Sequence, residues 1–228
     1  MYMISRKHDR LDGIWKRDLY TRDIEYIINN NIYEYDMKDA GFNLSKYYNL
    51  LDTNTLTYLE SLGKRERTIR IGVLMGNDRV FSKKLTLAFG QMRRIFMLRN
   101  NLKPSDILSI KKDAIYVVNN ICEDLEFGNM KFVMKNKYTS FHKFNYYELY
   151  FRNKYNQLDV KGIDDDKVQP HMDYFMKFLK DIFRSLENTD NSRVINKISQ
   201  FASDYKSLSL NIEYYRNEIF TQIFWKLD

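Results

Sequence analysis

Alternation of apolar and polar residues with a period of two predicts the strands of this chain. The run IYEYDM at 32–37 alternates in this way and carries an acidic residue, Asp36, at its end. Residues 104–118, PSDILSIKKDAIYVV, predict two strands joined by a tight polar turn, with Asp113 near the tip of the hairpin. Further strands are predicted at MKFVMKN and YYELYF. The strands are therefore expected in the part of the chain up to about residue 165.

Apolar residues spaced three and four positions apart predict the helices. Residues 40–63 predict one interrupted helix or two short ones, and 81–101 place apolar residues along one face with most basic residues off it. Helical periodicity is predicted, in chain order, at 16–31, 40–63, 81–101, 172–186, 194–205 and 211–226. Strands followed by a helical C-terminal part indicate an α+β fold.

Composition narrows the class of protein. With 44% hydrophobic and 15% aromatic residues in a chain of 228, a sizeable core is expected. Cys122 is the sole cysteine, which excludes a disulfide framework and a cysteine-rich zinc site. The charged N-terminus does not resemble a signal peptide, and no apolar run approaches the roughly 18 residues of a membrane span. The chain is rich in Lys, Asn, Ile and Tyr, whose codons are rich in A and T. This composition is typical of a low-GC bacterium or its virus, so a cytoplasmic location in a bacterial or virus-infected host cell is expected.

Positive charge is concentrated in one segment. The whole chain carries +7, whereas residues 64–103 contain eleven basic and two acidic residues and so carry +9. The remainder of the chain therefore sums to −2. Such a concentration indicates a nucleic-acid or nucleoside-triphosphate partner, the alternative being an ordinary basic surface.

Two aspartates occupy positions that suit metal binding. Asp36 ends a predicted strand, and Asp113 lies on a predicted hairpin 77 positions later. Nucleotidyl transfer uses two divalent ions about 4 Å apart, and Mg²⁺ prefers carboxylate oxygens as protein ligands. The alternative is purely structural, with Asp36 as the N-cap of the following helix and Asp113 as a turn residue. The two residues by themselves leave both interpretations open.

Several short motifs resemble those of one enzyme family. DMKDAGFNL resembles motif A of the family B DNA polymerases, in which an aspartate ends a palm strand, and LSIKKDAIYV resembles their motif C hairpin. In this resemblance Asp36 and Asp113 fall on the metal-binding aspartates. The passage YYELYF to LDVKGI is similar to the family's palm-to-thumb connection, with Lys161, Gly162 and Ile163 as its Lys-Gly-aliphatic triplet.

The resemblance implies an architecture and an activity. It implies a polymerase-like palm over residues 1–165, made of an antiparallel sheet with packed helices and a short basic fingers-like element at about 53–103. A helical thumb-like segment is expected over 166–228. The implied activity is that of a template-dependent nucleotidyltransferase in DNA replication, with two Mg²⁺ or Mn²⁺ ions held by Asp36 and Asp113.

Substrate contacts follow from the resemblance and from the basic segment together. The expected partners are nucleoside triphosphates, a primer–template or single strand of nucleic acid, and other replication or transcription subunits. The expected nucleotide-binding residues are Gly41, Phe42, Lys64, Arg65, Arg67 and Arg70. The expected nucleic-acid-binding residues are Lys83, Lys84, Arg93, Arg94, Lys111, Lys112 and Lys161.

The chain also departs from the family's pattern. Gly41 stands where the family has the tyrosine that rejects a 2′-hydroxyl, and Phe42 is the neighbouring candidate for that task. Lys111 stands where motif C has its first aspartate, and the fingers motif is not recognisable. The length leaves no room for an exonuclease domain. These departures favour the alternative of a catalytically degenerate palm that serves as a nucleic-acid-binding accessory subunit. A third reading is an unrelated α+β protein.

Overall fold

The computed structural model describes residues 11–24, 26–144, 147–152 and 156–162, together with short stretches between 180 and 203. The described strands are β1 (Leu19–Thr21), β2 (Tyr26–Ile27), β3 (Ile32–Met37), β4 (Ile107–Lys111), β5 (Ala114–Val118), β6 (Leu125–Phe127), β7 (Met130–Tyr138), β8 (Ser140–Phe144), β9 (Tyr147–Arg152) and β10 (Gln157–Lys161). The described helices are α1 (Ala40–Tyr47), α2 (Thr53–Ser61), α3 (Lys64–Asn77) and α4 (Arg79–Arg99), with 3₁₀ turns at Ile14–Lys16 and Pro104–Asp106. The predicted α+β class is confirmed.

The chain divides into two compact units. The first comprises residues 1–22 and 33–136, and the second comprises 23–32 and 137–228. The main segment of the second unit begins at residue 137, ahead of the predicted border near 165, because β8, β9 and β10 form a sheet of their own. The short strand β2 pairs with β8 and brings an early segment into this unit. The helices predicted over 172–186 and 194–205 are described only in part, with helical stretches at 182–185 and 192–196. The helix predicted at 211–226 lies outside the described residues.

The sheet of the first unit carries the strands that matter for the site. Its order is β1-β4-β5-β3-β7-β6. The amide of Met37 donates to the carbonyl oxygen of Asp113 at 3.0 Å, and that of Lys38 donates to the carbonyl of Lys131 at 2.8 Å. The C-terminal end of β3 therefore lies beside the beginnings of both β5 and β7, so β3 runs antiparallel to its two neighbours.

Helix α4 packs against this sheet. Its start is fixed by Asp78, whose carboxylate accepts the amides of Val80 and Phe81 at 2.8 and 2.9 Å. The ring of Phe96 lies 5.1 Å from that of Tyr35 on β3 and 4.3 Å from that of Phe132 on β7, as centroid distances. The buried face of α4 comprises the apolar residues of the predicted face, Phe81, Leu85, Ala88, Phe89, Met92 and Phe96, together with Gly90, Arg93 and Met97. The apolar periodicity of 81–101 thus identified a real core helix.

One local prediction is corrected by long-range pairing. Residues 16–31 do not form the predicted helix, because Tyr20 of β1 lies opposite Ile110 of β4 and Tyr26 of β2 lies opposite His142 of β8. The basic segment at 64–77 forms helix α3, which ends at Asn77. The segment 40–63 forms two short helices, which is one of the two predicted forms.

The second unit is built on a four-stranded sheet of order β10-β9-β8-β2. On this sheet, Asp159 accepts hydrogen bonds from Tyr138 and Arg152, the former at 2.7 Å. The ring of Phe183, from the helical stretch 182–185, lies edge-on to Phe151 with centroids 5.1 Å apart. Across the parts of both units that are described, no helix has the length and hydropathy needed to cross a membrane.

Candidate active site

Asp36 and Asp113 lie at one cavity in the first unit. Asp36 is the penultimate residue of β3, and Asp113 lies in the two-residue turn between β4 and β5. Lys112, the other turn residue, has a φ of +50°, so the hairpin turns sharply at this point. The predicted hairpin with Asp113 at its tip is confirmed, and the neighbouring positions of β3 and β5 bring both carboxylates to the lining of a cavity of about 290 Å³.

In the structure, Asp36 is not the N-cap of the helix that follows it. The residue at the N-cap of α1 is Asp39, in the left-handed region at φ 45° and ψ 46°. The side chain of Asp39 makes no capping hydrogen bond, whereas the carboxylate of Asp36 accepts from Lys135 Nζ at 2.7 Å. Asp36 therefore serves neither as N-cap nor as part of the helix start.

The cavity combines acidic and basic groups on a partly apolar floor. Ala40 and Gly41 at the start of α1, and Lys64 at the start of α3, line it together with Lys112. The Nζ atom of Lys112 lies 5.3 Å from the ring centroid of Phe89 and 3.8 Å from Met75 Sδ. Lys112 thus extends across apolar side chains of α3 and α4 while its charge stays beside the carboxylates.

The electrostatics of the two carboxylates are coupled. Burial raises the pKa of Asp113 above its ordinary value, and the negative charge of Asp36 raises it further. The positive charges of Lys112 and Lys135 act in the opposite direction. A buried carboxylate whose ionisation is disfavoured by a second carboxylate is a setting in which a bound cation is strongly stabilising.

A lysine and a second acidic residue of β3, neither singled out from the sequence, belong to this site. Glu34 precedes Asp36 by two positions, so both side chains project from the same face of β3. Lys135 of β7 places Nζ 2.7 Å from Asp36 Oδ2 and 3.5 Å from Glu34 Oε1. The Glu34 side chain is only 2% exposed and also accepts Asn136 Nδ2 at 2.5 Å. The period-two pattern of β3 could have predicted that Glu34 and Asp36 share one face of the strand. It could not have predicted that Lys135 contacts them.

Two of the predicted nucleotide-binding residues contact each other within the protein. Arg67 Nη1 lies 2.5 Å from Asp39 Oδ2, and Arg67 Nη2 donates to the carbonyl of Leu62 at 2.9 Å. The guanidinium lies 4.5 Å from the ring centroid of Phe42, which is buried. Arg67 and Phe42 therefore join α3 to α1, and their role in nucleotide binding stays a prediction.

Arg93 is the clearest correction among the predicted nucleic-acid contacts. It is completely buried, and burial lowers the pKa of its guanidinium while the hydrogen bond to Asp18 opposes this. It donates to Asp18 Oδ1 at 2.9 Å, to the carbonyl of Trp15 at 3.0 Å and to the carbonyl of Lys112. Arg93 is therefore unavailable to nucleic acid and instead holds the turn that carries Asp113.

The remaining predicted basic residues are distributed over the surface. Arg65 and Arg70 are exposed on α3, and Lys83 and Lys84 are exposed on α4. Arg94 is half-buried, with its guanidinium 5.2 Å from the Trp15 ring. Lys111 is half-buried at the end of β4, and Lys161 ends β10 in the second unit. Of the predicted nucleotide-binding residues, Lys64 and Gly41 line the cavity.

The donor set at the cavity is small. Among the described residues, no group of three or more histidine, cysteine, aspartate and glutamate side chains is arranged to hold a metal ion. A pair of carboxylates is nevertheless a usual protein contribution to a Mg²⁺ site, since Mg²⁺ keeps several water molecules and takes further oxygens from substrate phosphates.

Comparison with protein families identifies the family of this chain. No curated protein matches the chain. A family model described as Bacteriophage PBS1 gene 130 protein matches residues 12–228. Because the match covers both structural units from β1 through the C-terminal residue, the chain belongs to the Bacteriophage PBS1 gene 130 protein family.

Proposed function

We propose that this protein is a template-dependent nucleotidyltransferase that uses divalent metal ions held by Asp36 and Asp113. The observation that carries the proposal is that these carboxylates, 77 positions apart in the chain, line one cavity together with Lys64 and Lys112. This combination supports the proposal, because oxygens of the type that Mg²⁺ prefers share a cavity with cations that suit a phosphate chain.

The two carboxylates fit a divalent metal in chemistry and in charge. Both offer hard oxygen ligands, and the repulsion that raises the pKa of Asp113 is relieved by a cation shared with Asp36. Bound Mg²⁺ or Mn²⁺ would supply activation of the attacking 3′-hydroxyl and charge neutralisation at the leaving phosphates. The residues themselves contribute charge and placement, with Asp113 held by the hairpin turn and Asp36 by the end of β3.

The triphosphate is proposed to bind between the starts of α1 and α3. Neither N-cap residue, Asp39 nor Gly63, provides a side-chain cap, so the first amides of both helices have no partner of that kind. Helix N-termini attract anions, and Lys64 adds a full positive charge. A cation in the first turn costs a helix about 0.3–1 kcal/mol, so Lys64 is better explained by a ligand than by stability.

The sugar site is proposed to accept both ribose and deoxyribose. Gly41 lines the cavity without a side chain, and Phe42 is turned into the core beneath Arg67. A Cβ atom added at Gly41 would lie 3.1 Å from Ile71 Cγ2, so a larger residue there requires the Ile71 side chain to move by a few tenths of an ångström. No side chain at these two positions is therefore placed to exclude a 2′-hydroxyl.

Primer extension tests the proposal directly. The wild-type protein is offered a labelled primer–template with Mg²⁺ or Mn²⁺, and with dNTPs and rNTPs in separate reactions. We expect extension in both nucleotide sets and its complete loss with EDTA. A protein that binds the primer–template yet extends it under none of these conditions would contradict the proposal, and extension with dNTPs alone would contradict the open sugar site.

Lys64→Met is expected to raise the KM for the nucleoside triphosphate by about tenfold. The reason is that a charge-assisted hydrogen bond to phosphate is worth about 1.5–3 kcal/mol, and each 1.36 kcal/mol is a factor of ten. Steady-state single-nucleotide incorporation measures the effect. Lys83→Met is the matched control, because Lys83 is exposed on α4 outside the cavity lining and should change primer–template affinity only.

A second candidate function is nucleic-acid binding without chemistry, as an accessory subunit of a replication or transcription complex. The observation that favours it is the ion pair between Asp36 and Lys135, which already satisfies one of the two metal ligands. Such a protein would bind labelled primer–template by phosphate contacts, so its affinity should fall steeply between about 50 and 200 mM salt. The addition of Mg²⁺ beyond its contribution to ionic strength should then have no effect, whereas the nucleotidyltransferase should respond to Mg²⁺ specifically.

A further inference from the structure

Asp36 takes part in two arrangements at once. Its carboxylate lines the cavity shared with Asp113, and it also accepts an ion pair from Lys135 Nζ at 2.7 Å. Lys135 reaches this carboxylate from β7, the neighbouring strand, and is absent from the lining of the cavity. The ammonium group and a metal ion in the cavity would therefore draw on the same carboxylate from different directions.

Glu34 gives Lys135 a second carboxylate with which it can form an ion pair. Lys135 Nζ lies 3.5 Å from Glu34 Oε1, and the hydrogen bond from Asn136 fixes the other carboxylate oxygen of Glu34. Glu34 is almost completely buried, so its carboxylate needs a nearby positive charge in every state of the site. Lys135 can therefore release Asp36 and still remain paired.

We propose that Lys135 is a built-in cation of the site that competes with divalent metal for Asp36 and thereby lowers the metal affinity of the free protein. This inference rests on the proposed metal site at Asp36 and Asp113. Its consequence is an order of events: metal binds weakly alone and strongly when a nucleoside triphosphate supplies additional oxygens and negative charge. The protein would then be loaded by the metal–nucleotide complex, with Lys135 transferred to Glu34.

Mn²⁺ binding to the intact protein, measured by the loss of the free Mn²⁺ signal in electron paramagnetic resonance, tests this competition without any catalytic readout. In Lys135→Met the apolar stem is kept and the charge is removed, so Mn²⁺ affinity is expected to rise by about tenfold, as for removal of a solvent-exposed like charge a few ångströms away. Lys135→Arg keeps the charge, so its Mn²⁺ affinity is expected to stay within about twofold of the wild-type value. That change is well below a tenfold change, which corresponds to about 1.36 kcal/mol.

Lys131→Met is the matched control. Lys131 lies on the same strand and forms an exposed ion pair with Glu126 at 3.1 Å, so its loss should leave Mn²⁺ affinity unchanged. Unchanged or weaker Mn²⁺ binding in Lys135→Met would overturn the competition, while the metal site itself would stand. An absence of Mn²⁺ binding in the wild type and in all variants, with circular dichroism showing folded proteins, would overturn the metal site and the proposed function with it.

Discussion

Replacing Asp36 or Asp113 by asparagine is expected to abolish nucleotide incorporation, with a loss in kcat/KM of at least about a thousandfold. Asparagine keeps the shape and one oxygen of each side chain but removes the charge that holds a divalent ion. Metal ions contribute several kcal/mol of charge stabilisation in phosphoryl chemistry, and about 4 kcal/mol corresponds to a thousandfold in rate. Single-turnover incorporation on a primer–template measures the loss for each variant.

Asp113→Asn, which is expected to abolish incorporation, is also expected to increase the stability of the folded protein. Burial and the charge of Asp36 both raise the pKa of Asp113, so its ionised form is less favourable in the folded protein than in the unfolded chain. A raised carboxylate pKa means that the folded state loses stability as pH rises from the unfolded pKa to the folded one. Asp113→Asn removes this dependence and should unfold at a higher urea concentration than the wild type at neutral pH in the absence of metal.

Asp52→Asn provides the control for both readouts. Asp52 is the N-cap of α2, where its carboxylate accepts the amide of Thr55 at 2.9 Å, and asparagine caps a helix about as well as aspartate. It should therefore retain wild-type incorporation and nearly wild-type stability. A rate within about tenfold of the wild type for Asp113→Asn would be inconsistent with the proposed metal site, because even that loss corresponds to only 1.36 kcal/mol.

Elements with strong local patterns were predictable, and those fixed by distant partners were not. The strand at Ile32–Met37 and the hairpin around Asp113 follow from period-two alternation, and α4 follows from apolar residues spaced at 3.6 per turn. By contrast, β1 and β2 have three and two residues, too few to show a period. Their conformation depends on partners such as Ile110 and His142, roughly 90 and 116 positions away.

The same distinction applies to the candidate site. Asp36 and Asp113 could be selected because each stands at the end of a recognisable strand. Lys135 could not, because its contact with Asp36 depends on the register of β7 against β3, which no local pattern specifies. The internal contacts of Arg67 and Arg93 could not be predicted for a related reason: a basic side chain in a basic segment is expected to be solvated until its internal acceptors are known.

Arg93 is expected to be the residue whose loss destabilises the first unit most among its arginines and lysines. Its guanidinium joins three separate segments through Asp18, the carbonyl of Trp15 and the carbonyl of Lys112. Arg93→Met leaves two carbonyls without this donor, at about 1–3 kcal/mol for each buried group left unsatisfied. Asp18 is 39% exposed and can be rehydrated, so it adds little to the loss. We expect the free energy of unfolding to fall by about 2–6 kcal/mol, the sum for the two carbonyl groups.

Urea denaturation of the full chain, followed by circular dichroism, measures this loss, with Arg99→Met as the matched control. Arg99 lies in the last turn of the same helix and is exposed, so its replacement should cost less than about 1 kcal/mol. Arg93→Lys keeps the charge but has a single nitrogen in place of the planar fork, so it should recover only part of the lost stability. An Arg93→Met protein as stable as Arg99→Met would show that the turn bearing Asp113 does not depend on this guanidinium. The expected loss would instead identify Arg93 as the positioning residue of that turn, since the carbonyl it holds belongs to the residue immediately before Asp113.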